Sequence, residues 1–149
     1  MILALDPGPQ QTGWCLFDIS RVVDSGVHDN HDVLRWVREG QGADTLAIEM
    51  IASYGMAVGR EVFETVRWIG RFQQAWAEPD EVLLVYRQQV KLTLCKSAKA
   101  KDANVRQALL DMLGPKGTKA KPGPLYGVSS HAWSAVAVAV TAQAQRAAA

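Results

Sequence analysis

Six residues into the chain an apolar run stops on a carboxylate, and the residues that follow forbid it from resuming at once. In the opening MILALDPGPQQTGW, Ile2 to Leu5 form a short apolar strand that Asp6 ends. Pro7, Gly8 and Pro9 cannot extend a hydrogen-bonded ladder. The pattern becomes strand-like again over 13–18, with Gly13 and Trp14 at its start. Strand, Gly/Pro turn and strand make a hairpin, and that hairpin sets Asp6 at the lip of a sheet. A carboxylate there either caps the turn or holds something.

The later segments predict how the sheet continues. A third strand is expected over 21–27, joined by a tight link from Asp18 to Arg21. Val33, Trp36 and Val37 give a short helix its apolar face. Thr45 to Met50 is an apolar run too short for a helix, which predicts a strand buried on both faces and paired in parallel at the sheet centre. A long helix is expected over 57–77 on the stripe Val58, Val62, Val66, Ile69, Phe72 and Trp76. A strand follows over 81–87. Asp102 is expected to cap a helix that uses Val105, Leu109 and Met112 and stops at Gly114. Residues 115–128, rich in Gly, Pro and Lys, predict a mobile loop. Ser129 or Ser130 should cap a last helix over 132–144, apolar nearly all round, with a frayed tail over about 142–149. This order specifies an α/β domain over 1–149: a mixed five-stranded sheet, three antiparallel strands then parallel ones, with helices on both faces.

Net charge is only +1, yet the charges are segregated. Residues 1–86 carry 6 Lys and Arg against 13 Asp and Glu, whereas residues 87–122 carry 9 against 2. All seven lysines lie between Lys91 and Lys121. Arg87, Lys91, Lys96, Lys99, Lys101 and Arg106 surround the small-residue turn CKSAKAKDAN, a composition suited to a phosphate backbone at close approach. Lys116, Lys119 and Lys121 extend that footprint from the loop. With no apolar stretch of ~18 residues and no secretory leader pattern, neither a membrane span nor export is expected. Cys15 and Cys95 are too few for a disulfide framework, which fits a reducing, cytoplasmic setting.

Three stretches taken together resemble the RuvC family of Holliday junction resolvases, within the ribonuclease-H-like superfamily. LALDPGPQQTGW is similar to that family's first motif. LAIEM, ending near Glu49, is similar to the second. SHAWSAVAVAV resembles the start of its final helix, where the last ligands lie three residues apart. The resemblance spans nearly the whole chain. It implies a divalent-metal-dependent endonuclease that resolves four-way junctions or other branched DNA by paired phosphodiester hydrolysis. It implies two Mg²⁺ or Mn²⁺ ions held by Asp6, Glu49 and His131. Ser134 stands where a typical member carries an aspartate, which leaves one charge fewer and favours Mn²⁺ through His131. Glu61 and Glu64 could supply the missing charge, although an exposed helix face accounts for them.

The residues give a physical case beside the resemblance. Two carboxylates at neighbouring strand ends repel one another unless a cation neutralises them, and oxygen-rich sites suit Mg²⁺ or Mn²⁺. Tyr54, just after the Glu49 strand, is a candidate wedge at a DNA branch point. Phe63 and Trp68, off the apolar stripe of the long helix, suggest a homodimer surface, which a symmetric double cut requires. His28 and His31 lack further ligands for zinc. The small size suggests a phage or mobile-element origin, and a bacterial host cytoplasm if the chain is phage-encoded. Two other readings stay open: a branched-DNA binder that does not cut, and an actin-like or sugar-kinase ATPase, for which the chain lacks a second lobe.

Overall fold

The computed structural model describes residues 1–149. The chain forms β1 (Ile2–Pro7), β2 (Gln11–Asp18), β3 (Arg21–Asp29), α1 (Asn30–Glu39), β4 (Thr45–Met50), α2 (Arg60–Ala75), β5 (Leu83–Tyr86), α3 (Arg87–Cys95), α4 (Asp102–Leu113) and α5 (Ala132–Ala148). One five-stranded sheet has the order β3-β2-β1-β4-β5. β1, β2 and β3 pair antiparallel, and β4 and β5 run parallel to β1. This is the mixed sheet expected from the sequence. No helix is long and apolar enough to cross a membrane.

Strand alternation decides which side chains meet. Side chains of period two point to opposite faces, and β1 divides accordingly. Leu3 and Leu5 join Leu46, Ile48, Val33, Val37, Ile69 and Phe72 in the core under α1 and α2. Ile2 and Ala4 join Cys15, Phe17, Ala47 and Val85 in the core under α5, α3 and α4. The same parity carries Asp6 and Glu49 toward the α5 side. α5 is buried from Ala132 to Ala142 at every residue but Ser134, so it lies flat on the sheet.

The turn after Asp6 is fastened from below. Gly8 N–H donates to the Gln11 carbonyl at 2.9 Å. Asn30, buried at the start of α1, accepts from the Thr12 hydroxyl at 2.6 Å and donates to the Gly8 carbonyl at 2.9 Å. Asp29 caps α1 by accepting from His31 N–H at 2.9 Å, and Gly40 closes the helix in the left-handed region.

Several expectations need correction. Residues 87–95 are helical, not a strand end followed by a turn; only Val90 is buried among them, so no stripe marked the helix. α2 is shorter than 57–77. Val58 and Val66 are exposed, and Thr65 takes a buried position, its hydroxyl donating to the Glu61 carbonyl at 2.9 Å. Asp102 does not cap α4, because it is the first helical residue and its carboxylate is drawn to Arg87; the Asn104 side chain instead accepts from Lys101 N–H. Met112 is exposed. Neither Ser129 nor Ser130 caps α5 through its side chain, and their carbonyls accept from Ala132 and Trp133 instead. Residues 115–128 are a closed hairpin, bridged at Gly117 and Pro122 and anchored by buried Leu125 and Val128. α5 runs through the expected tail to Ala148, with Arg146 bonded to Asp44 at 3.2 Å.

Candidate active site

Asp6 and Glu49 lie at the ends of adjacent parallel strands, one step beyond the paired residues Leu5 and Ile48. Both are partly covered. His131, just before α5, sets Nδ1 3.3 Å from Asp6 Oδ2. Ser134 is one turn further along the same helix and lines the same cleft. The four residues that the sequence singled out thus converge at one edge of the sheet.

Gly13 makes that convergence possible. It sits opposite Asp6 in the β1–β2 ladder. A Cβ there would lie 2.4 Å from the His131 carbonyl oxygen and 2.9 Å from its Cβ. Only a residue without a side chain lets β2 approach this close. Gly13→Ala is expected to push His131 off Asp6, cost about 1–3 kcal/mol of stability and slow any reaction at the site about 10²-fold. A thermal melt and a rate measurement check both effects. The Thr-Gly-Trp motif held this signal, a glycine inside a strand.

The two carboxylates behave as a pair. Burial is the main cause that raises Asp6 above the usual carboxylate range; Glu49, Arg87 and Ser134 pull it back. Glu49 is pushed up to about 8, first by burial and then by the charge of Asp6, with Arg87 opposing. Two negative charges side by side are therefore disfavoured here. Such a pair is a ready acceptor for a cation, which ends the repulsion. No three His, Cys, Asp or Glu side chains already close into a cage. In chemistry the donors fit a divalent ion: two carboxylates, an imidazole at their flank and a hydroxyl from Ser134 without charge. Glu61 and Glu64 cannot contribute, since α2 packs on the other face and Glu64 pairs with Arg60 at 2.9 Å.

Arg87, expected among the DNA-contacting residues, also belongs to this site. Its guanidinium is ion-paired with Asp102, holds that carboxyl below the usual range, and lowers both Asp6 and Glu49. A cavity of about 590 Å³ opens here, lined by Arg87, Asp102, Arg106, His131, Trp133 and Ser134. Arg106 stacks on the Trp133 ring at 4.4 Å, and Lys116 Nζ lies 5.9 Å from the same ring centroid. Lys91 and Tyr54 share a neighbouring cavity of about 270 Å³ with Arg87. Lys96, Lys99 and Lys101 are exposed on the α3–α4 connection, and Lys119 and Lys121 on the hairpin. The basic residues thus flank the acidic edge.

The expected interface residues separate. Phe63 is 62% exposed. Trp68 is only half-buried yet engaged within the chain, against Phe72 at 5.5 Å, the edge of His31 at 5.0 Å and the Arg71 guanidinium at 4.0 Å. Tyr54, Met56, Val58 and Val66 are the exposed apolar neighbours in sequence. His28 accepts from Trp14 Nε1 at 2.9 Å and belongs to an aromatic cluster with Trp36.

No family model matches the chain, and no curated protein does. Solved structures do. Thermus thermophilus RuvC superposes with a TM-score of 0.70 at 19% identity, over 99% of this chain and 96% of that one. T. thermophilus RuvC in complex with a Holliday junction substrate superposes with a TM-score of 0.71 at 21% identity, over 99% of this chain and 95% of that one. The chain has a RuvC-like fold, and its strand order fits the ribonuclease-H-like arrangement.

Proposed function

We propose that this chain is a divalent-metal-dependent endonuclease that binds branched DNA, four-way junctions above all, and cuts it by paired phosphodiester hydrolysis. The observation that carries the reading is the convergence of Asp6 and Glu49 at neighbouring strand ends, with His131 on Asp6 and basic residues on either side. The RuvC-like fold, which one neighbour presents with a junction substrate, supports DNA as the substrate.

Asp6 and Glu49 would hold Mg²⁺ or Mn²⁺, two ions in all, with His131 completing one side. When bound, such ions supply Lewis-acid stabilisation of the charge that develops on the phosphodiester. The chain's own residues do the rest. Asp6 keeps the His131 ring oriented through Nδ1. That leaves Nε2 alone to face either a cation or the attacking water, and in the second role it takes the water's proton as the water oxygen bonds to phosphorus and the bond to the leaving oxygen breaks. Ser134 places a hydroxyl where a third carboxylate would add charge, so the hold on cations is looser and Mn²⁺, the better partner for imidazole, is preferred.

Lys96, Lys99, Lys101, Lys116, Lys119 and Lys121, with Lys91 and Arg106 nearer the cleft, would position the phosphate backbone without reading sequence. Changing Lys99 and Lys101 together to Gln is expected to weaken junction and linear duplex alike. It should reduce the slope of log affinity against log salt by about 2. An unchanged slope would take DNA off this surface.

Two symmetric cuts need two sites related by a two-fold. We assign the contact to the exposed Met56, Val58, Phe63 and Val66 around the start of α2, with Trp68 behind them as packing. Tyr54, 60% exposed beside Lys91, would reach the branch point from the same end.

The deciding experiment incubates the full chain with a labelled four-way junction and a matched linear duplex, in Mg²⁺, Mn²⁺ or EDTA. Paired nicks on the junction alone, absent in EDTA, are expected. Tight junction binding with no cleavage in either metal would leave a DNA binder that has lost its chemistry, the reading that Ser134 favours.

A further inference from the structure

We infer that Arg87 is the residue that takes hold of a DNA phosphate beside Asp6 and Glu49, and that Asp102 occupies its guanidinium as an internal anion until DNA arrives. The inference rests on the DNA-cutting reading above and assigns a phosphate-binding residue within it.

A guanidinium presents five donors in a rigid fork matched to two anionic oxygens at once. In Arg87 only one arm of the fork is used. Nη2 is bonded to Asp102 Oδ1, whereas Nη1 is buried and has no partner. A buried donor left unpaired is costly, and a ligand that satisfies it is favoured by the same amount.

The two partners differ in freedom. The Arg87 side chain is 24% exposed and that of Asp102 is 87% exposed. The guanidinium is fixed by its surroundings, while the carboxylate can swing into water at little cost. Exposed ion pairs of this kind are weak, so an incoming phosphate can displace Asp102 and then use both arms.

Position supplies the second argument. Arg87 is the one residue shared by the cavity that contains His131 and Ser134 and the cavity that contains Tyr54 and Lys91. A strand of backbone running from the Tyr54 end to the acidic edge passes over it. Asp6 and Glu49 repel a phosphate there, and Arg87 is the cation whose charge reaches both carboxylates.

A double-mutant cycle tests the assignment. Anisotropy of a labelled four-way junction in EDTA is measured for the full chain, for Asp102→Asn, for Arg87→Gln, for Arg87→Lys, and for Asp102→Asn combined with each Arg87 change. Melting curves establish that each variant is folded. Asp102→Asn is expected to bind about fivefold tighter, and that gain should vanish when Arg87 is Gln and persist when it is Lys. Arg87→Gln alone should lower the salt slope by about 1, with Lys restoring it. A gain that persists beside Arg87→Gln means that Asp102 acts through bulk charge, and it overturns the inference. So does an Asp102→Asn variant that binds no tighter. If the unsubstituted chain binds no junction, the DNA reading itself fails and this one falls with it.

Discussion

Asp6→Asn is expected to lower the nicking rate on a four-way junction by about 10³-fold or more while leaving junction affinity in EDTA equal or slightly higher. The loss corresponds to about 4 kcal/mol of transition-state stabilisation, the scale of a ligand that holds a catalytic cation. Asn keeps the size of Asp and offers one oxygen, but it carries no charge and so holds a cation far more weakly. His131 also loses the anionic partner of its Nδ1, 3.3 Å away, and with it the orientation that proton transfer needs. Binding rests on the lysines and survives. Single-turnover nicking beside anisotropy separates the two quantities. Cleavage within tenfold of the unsubstituted chain would remove Asp6 from the chemistry.

Glu49→Gln is the second large effect, and it moves activity and stability in opposite directions. The carboxyl titrates near 8 in the fold against an ordinary value of 4.5. Because the folded state binds this proton more tightly than the unfolded chain, its contribution favours folding below about pH 4.5. That contribution is lost as pH climbs through about 8. Gln has no proton to lose. In EDTA the variant should therefore melt with the unsubstituted chain near pH 4.5 and above it at pH 8.5. Partial exposure reduces the difference to on the order of 3 kcal/mol, or about 6–12 °C. Cleavage should fall to background at every pH. Adding Mn²⁺ should raise the melting temperature of the unsubstituted chain and not that of the variant, because the cation relieves a repulsion that Gln never had. Equal melting at both pH values would mean that Glu49 is not held beside Asp6. A site that gains stability when it loses function is the expected signature of catalytic carboxylates held together.

Much of this arrangement was legible because it depends on parity. Once Ile2 to Leu5 and Thr45 to Met50 are read as strands, Asp6 and Glu49 must stand at neighbouring ends and face the same way. The final helix was legible because it is apolar on every side. The basic segment was legible as composition, but its structure was not. α3 has one fully buried residue, so its helicity comes from the fold around it and leaves no periodic trace. The inward reach of Arg87 was hidden for the same reason: nothing in sequence reveals that its charge acts on carboxylates 38 and 81 positions earlier. Trp68 looked free because its partners His31, Arg71 and Phe72 are set by the α1–α2 packing. Asn30, which fastens the turn beyond Asp6, lies between the expected third strand and the apolar face of the next helix, where no pattern marks it.

The contact between Asp6 and His131 joins residues 125 positions apart, and Gly13 makes room for it. Contacts this distant form late, because the chain between them must be ordered first. While the protein is being made, the acidic pair and the basic segment emerge from the ribosome well before α5 does. A nascent or prematurely terminated chain can carry both charged segments without His131 beside them. The proposed site is therefore complete only once synthesis has passed the last helix.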